Sequence, residues 1–109
     1  MITKSKYKNK ITLYNGIKFH STKEANYCKN LDFLKAARLP EDRVLKYEMQ
    51  VPFVFSVAGV IICTYKLDFK VYYADGRVEY VDVKGFKTDV YQIKKKMMKA
   101  FYNIEIKEV

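Results

Sequence analysis

"YKLDFKVYYADGRVEYVDVKG", residues 65–85, sets two apolar runs around a short Ala74-Asp75-Gly76 turn, with Asp68 on the first run and Asp82 and Lys84 on the second. How the two runs pair decides both the fold and the chemistry. Alternate side chains of a strand share a face, so Asp82 and Lys84 lie together. A two-residue turn at Asp75-Gly76 would set Ala74 opposite Arg77 and leave Asp68 opposite Val83, on the wrong face. A three-residue loop, a type I turn closed by a left-handed Gly76 in a bulge, sets Tyr73 opposite Arg77 and Asp68 opposite Asp82. The second register also pairs Leu67 with Val83 and Phe69 with Val81. The first would press Leu67 on Lys84 and Phe69 on Asp82. A slip of one residue exchanges buried and exposed faces, so burial selects the longer loop. The charges converge.

Directly opposed side chains stand roughly 4.5–5.5 Å apart at Cβ, where like charges repel. Two carboxylates at that spacing suit a hard divalent cation, which takes oxygen ligands and keeps several waters. A lysine two residues along the same face can hold a water or stabilise developing negative charge. The plainer alternative is a solvated polar face whose acids pair with nearby lysines. Glu24 bears on the choice. Ser21-Thr22-Lys23-Glu24 matches a capping box, in which Glu24 reaches back to the Ser21 amide. Yet Glu24 also lines up with Cys28, Leu31 and Leu34, the helical stripe expected to face the sheet. A carboxylate on a buried stripe is costly without a partner.

Around this hairpin the pattern is α+β, a mostly antiparallel or mixed central sheet flanked by helices. "ITLYNGIKFHS" reads as a hairpin about Asn15-Gly16. A helix is expected from Ser21 to about Arg38, stopped by Pro40. Val44 to Lys84 suggests three or four strands, with Pro52 and Gly59 marking a strand edge and a turn. Thr88 is the expected N-cap of a second helix running to about Tyr102. Its core stripe is expected to be Val90, Ile93, Met97 and Phe101, leaving Tyr91, Lys94, Lys95 and Met98 outside. "IEIKEV" adds a final edge strand.

The 109 residues fit a single domain, 1–109, with a short basic arm over about residues 1–10. A net charge of +9 favours a polyanionic partner, most often nucleic acid. No apolar stretch nears the ~20 residues of a membrane span, and none follows the basic "MITKSKYKNK" as a secretion signal requires. Isolated Cys28 and Cys63 fit a reducing cytoplasm, and a single histidine argues against structural zinc. Lys4, Lys6, Lys8 and Lys10 form an arm able to grip a DNA backbone. Glu48 and Gln50 alternate outward and would border the acidic site. His20, beside the helix start, suits either a structural hydrogen bond or a phosphate contact.

Glu24 on the first helix, Asp68 ending one strand and Asp82-Val83-Lys84 ending the next resemble the PD-(D/E)xK nuclease superfamily with its restriction-endonuclease-like core. "STKEA", "YKLDF" and "VDVKGFKTDVYQIKKKMMKAFY" together look like a phage-encoded, Holliday-junction-resolvase-like branch, over about Tyr7 to Ile106. The resemblance implies a DNA endonuclease in which Asp68 and Asp82 ligate Mg²⁺ or Mn²⁺ with the Val83 carbonyl. It implies that Lys84 positions the attacking water or stabilises the phosphate, and that Glu24 binds metal directly or through water. Leu67 stands where the motif's nominal proline would be, and Asp rather than Glu occupies position 82. Lys87, Tyr91 and Lys94, with Lys8 and Lys10, would contact DNA. Four-way junctions are the implied substrate, and two symmetric cuts imply a homodimer. Host cytoplasm would be the setting. The competing class is a basic, non-catalytic DNA-binding or phage-interaction module on the same fold.

Overall fold

A computed structural model of the protein describes residues 10–109. Lys4, Lys6 and Lys8 of the expected basic arm lie outside those residues. In chain order the elements are β1 (Thr12–Tyr14), β2 (Ile17–Phe19), α1 (Thr22–Leu34), β3 (Val44–Val57), β4 (Val60–Tyr73), β5 (Val78–Asp82), α2 (Asp89–Tyr102) and β6 (Ile106–Glu108). β1 and β2 form their own hairpin. The central sheet runs β3-β4-β5-β6, antiparallel except for the parallel β5–β6 pair. The α+β expectation holds.

The deciding hairpin takes the three-residue loop. Phe69 pairs with Val81 and Tyr72 with Val78. The Tyr73 amide donates to the Arg77 carbonyl at 2.9 Å, and Gly76 sits at φ 93°. Asp75 Oδ1 accepts from the Arg77 amide at 2.9 Å, a local brace for the turn. Val44 to Asp82 yields three strands. Ala58 (φ 50°) and Gly59 (φ 80°) make the two-residue turn between the longest two. Pro52 does not end a strand. It lies inside β3 opposite Lys66, which is tolerated because β3 is an edge strand.

α1 ends sooner than the expected Arg38. After Leu34 the amides of Lys35, Ala36 and Ala37 turn to carbonyls three residues back, tightening the chain. Arg43 then takes the freed carbonyls of Ala37 and Arg38 at 3.3 and 3.1 Å. The buried stripe is as expected: Glu24, Cys28 and Leu31 are covered, and Leu34 packs against the same cluster.

Two apolar clusters hold the layers. One joins α1 to Val44, Phe69, Val71 and Val81, and the other joins Tyr91 and Met98 of α2 to Phe55, Tyr65, Leu67 and Ile106. Each fully buried large side chain is worth about 1.5–3 kcal/mol. The second cluster rotates the expected face of α2: of the expected stripe, Met97 packs against the cluster and Phe101 meets Phe55. Tyr91 and Met98 point inward, whereas Val90 and Ile93 are exposed. An amphipathic period fixes that a stripe exists, but the strand beside the helix decides which stripe is covered. Here Phe55, Tyr65 and Ile106 accept the aromatic ring and the flexible thioether.

Candidate active site

Asp68 sits where the two clusters meet. Tyr65 and Leu67 belong to the α2 side, and Phe69, Val71 and Tyr73 to the α1 side, so the strand changes allegiance across Asp68. Opposite it, Gln50 takes a left-handed φ of 52° and drops out of the β3–β4 pairing. The Gln50 side-chain amide instead donates to Asp68 Oδ1 at 3.2 Å. On the other flank the β4–β5 ladder stops at Phe69–Val81. There the Val83 amide donates to Asp68 Oδ2 at 2.9 Å. A carboxylate has replaced the backbone carbonyl of a regular ladder.

Asp82 ends β5 at 2% exposure. Its Oδ2 accepts a hydrogen bond from the Tyr65 hydroxyl. Its Oδ1 is buried with no hydrogen-bond partner, although the Lys84 ammonium stands at 3.3 Å. Lys84 supplies charge there without an aligned donor. Buried polar oxygens are nearly always satisfied, so this orphan asks for an explanation. The ammonium lies over the Tyr91 ring, 4.0 Å from its centroid. The Tyr91 hydroxyl donates to Glu108 Oε2 at 2.8 Å. The backbone of the motif is pinned as well: Lys84 N–H donates to the Val109 carbonyl, and Lys23 Nζ donates to the Lys84 carbonyl at 2.9 Å.

Glu24 is buried at the start of α1. Its amide donates to Ser21 Oγ at 3.1 Å, half of the expected capping box. Its carboxylate accepts from the His20 amide at 3.2 Å rather than from Ser21, one residue further out.

The three acids feel one another. Burial is the first cause that raises Asp68, opposed by the Val83 amide and reinforced by the Glu24 charge. Asp82 is pushed up to about 6, first by burial, with Asp68 adding to the rise while Tyr65 and Lys84 work against it. Asp68 and Asp82 act on one another, so the two carboxyls titrate as a pair. Tyr65 and Tyr91 are both raised, chiefly by burial, and stay protonated donors.

Among the described residues, no three His, Cys, Asp or Glu side chains come together as a metal-ligand set. The acidic contribution is a pair, with Glu24 tied to a backbone amide. A small hard cation that keeps its waters needs only one or two carboxylates. The orphaned Asp82 oxygen is the atom such a cation would satisfy. The residues present fit the group.

Residues 4–108 match the family described as a protein of unknown function, DUF1064. The chain belongs to the DUF1064 family. No curated protein and no solved structure matches it. In this DUF1064 chain the other singled-out residues divide. Gln50 borders the site as expected, while Glu48 lies one row away and accepts from the Tyr72 hydroxyl. Tyr91 offers no face to DNA, because it is buried beneath Lys84. Lys94 donates to the Thr64 carbonyl at 3.0 Å, and Lys87 pairs with Glu108 at 2.9 Å. Lys10 is exposed, and the His20 backbone serves Glu24. Sequence reasoning missed Tyr65 and Tyr91 as the props of Asp82 and Lys84. The available signal was a phenol within each apolar segment, since a buried tyrosine hydroxyl needs a partner.

Proposed function

We propose that this DUF1064 protein is a metal-dependent endonuclease that hydrolyses DNA phosphodiesters, with branched DNA as the favoured substrate. One observation carries the reading: the buried Asp82, with an unsatisfied oxygen, stands against Asp68 and beside Lys84. A structural ion pair has no use for a second carboxylate at that spot. Asp68, Asp82 and the Val83 carbonyl would hold Mg²⁺ or Mn²⁺, with Glu24 acting through water. The cation would polarise the scissile phosphate and make a water nucleophilic at neutral pH. The chain's own residues then have defined work. Lys84, seated on the Tyr91 ring, is placed to hold the attacking water or meet charge on the phosphate oxygens. Tyr65 fixes the orientation of Asp82. Gln50 and the Val83 amide do the same for Asp68. The +9 charge draws the polyanion in.

A second reading, binding without cleavage, draws on one face of the sheet. Lys46 lies over Tyr72 at 4.6 Å, and Lys70 lies over Tyr72 and Tyr80 at 5.2 and 5.6 Å. Cations interleaved with aromatics suit nucleic acid whether or not a bond is cut. Incubating labelled four-way junctions and linear duplexes with Mg²⁺, with Mn²⁺ and with EDTA separates the two. Metal-dependent cutting that Asp82→Ala abolishes while DNA binding survives is expected. Absence of cutting with either metal, binding being retained, would hand the assignment to the binding module.

A further inference from the structure

The face of α2 that the core declines has its own neighbour. Val90 and Ile93 are 60% and 57% exposed, and Phe101 continues the same stripe. Phe101 meets Phe55 of β3 ring to ring at 5.3 Å, and Met97 touches Cys63 of β4 through sulfur at 4.0 Å. These contacts join the stripe to the turn end of the β3–β4 ribbon. There Val57, Val60, Ile61 and Ile62 are 55% to 65% exposed. Three consecutive exposed apolar residues mean that both faces of the ribbon are bare. Together with Val54 and Tyr102, these side chains expose on the order of 800 Å², close to what each partner gives a standard interface and well above a stray patch.

Charge selects the occupant. Residues 49–65 carry no charged side chain, in a chain with 21 Lys and Arg against 12 Asp and Glu. An acidic partner would be drawn to the lysines and gain nothing from this ribbon. Two copies of a +9 chain repel least over such an uncharged ribbon, where the bordering Lys94 ammonium is already tied to the Thr64 carbonyl. An interface this apolar resembles a core cut in two, the character of permanent homodimers. We infer that the α2 stripe and the β3–β4 ribbon are covered by a second copy of this chain in a two-fold dimer. The same patch on each copy closes the pair without leaving a free end. This conclusion does not rest on the nuclease reading, since it uses no residue of the acidic site.

Light scattering after gel filtration, with sedimentation equilibrium over ~1–100 μM protein, tests it at concentrations that resolve micromolar and tighter dimers. The wild-type chain should weigh two copies. Ile93→Glu on the helix and Ile61→Glu on the ribbon should each weaken the dimer by roughly 100-fold or more, because both would bury an unpaired charge. Phe33→Glu, at an exposed site on α1, should leave it intact. Circular dichroism confirms that each variant is folded, and a second pair, Ile93→Ser and Ile61→Ser, substitutes for any that is not. A wild-type monomer throughout the range would overturn the inference, as would a dimer indifferent to both sites.

Discussion

Asp82 is costly to the fold, and its cost has a pH signature. In the folded chain its carboxyl is pushed up to about 6 from the ordinary aspartate value of 3.8. The folded state therefore binds this proton more tightly than the unfolded state. The associated stability is fully present below about pH 4 and is lost as pH rises through about 6. With metal removed by EDTA, Asp82→Asn should be the more stable protein at pH 7, by on the order of 1–3 kcal/mol, and should lose most of that advantage at pH 4. Urea unfolding at the two pH values checks this, and an equal difference at both would contradict it. Lys84 carries the complementary prediction. Lys84→Ala should lower single-turnover cleavage by about 100-fold or more while leaving DNA affinity nearly unchanged. A loss in affinity alone would make Lys84 a backbone-binding residue. The approach of Asp82 to Asp68 was legible from the three-residue register, whereas the ladder itself stops at Phe69–Val81 and Lys84 lies beyond the end of β5. Gln50's left-handed turn and the Tyr65 support depend on cross-strand neighbours, which no local pattern specifies.

The β4–β5 loop sets the register that brings the acids together. Gly76 holds φ 93°, and a Cβ added there would meet nothing within 4 Å. The cost of Gly76→Ala is thus confined to backbone strain and should be about 1–2 kcal/mol in urea unfolding. A neutral substitution would mean that the loop can relax and does not fix the pairing. Deleting Ala74 would leave Asp75-Gly76 as a two-residue turn with Tyr73 still opposite Arg77, so that variant should keep the register and fold. The register was readable because only one alternative existed and apolar pairing rejected it. The face of α2 was not. The Val90 and Ile93 end of its most apolar stripe faces outward, and a period of 3.6 residues cannot distinguish a surface covered by the chain's own sheet from one covered elsewhere. The end of α1 was misplaced because the amides of Lys35, Ala36 and Ala37 turn to carbonyls three residues back before Pro40 is reached.

The fold brings a strongly cationic chain to an acidic site where β5 ends against β4; Asp68 lies inside that strand and not at its end, as the sequence had suggested. No helix among the described residues is long and apolar enough to cross a membrane. A basic chain that binds DNA through phosphates releases counterions, so its affinity should fall by roughly 10-fold or more between 50 and 200 mM salt. Fluorescence anisotropy on a labelled junction checks the slope, and salt-independent binding would remove the electrostatic account. The α+β class, the strand order within the hairpin and the place of the acids all followed from alternation and turn chemistry. What the acids hold is a matter of chemistry that geometry only prepares. Calorimetric titration of the metal-free protein with Mn²⁺ asks that question without requiring a substrate. Binding of one ion per chain, read from the heat of titration in the wild type and absent in both Asp68→Asn and Asp82→Asn, is the predicted result. A wild type that takes up no ion, or an Asp82→Asn protein that takes it up equally well, would contradict the site.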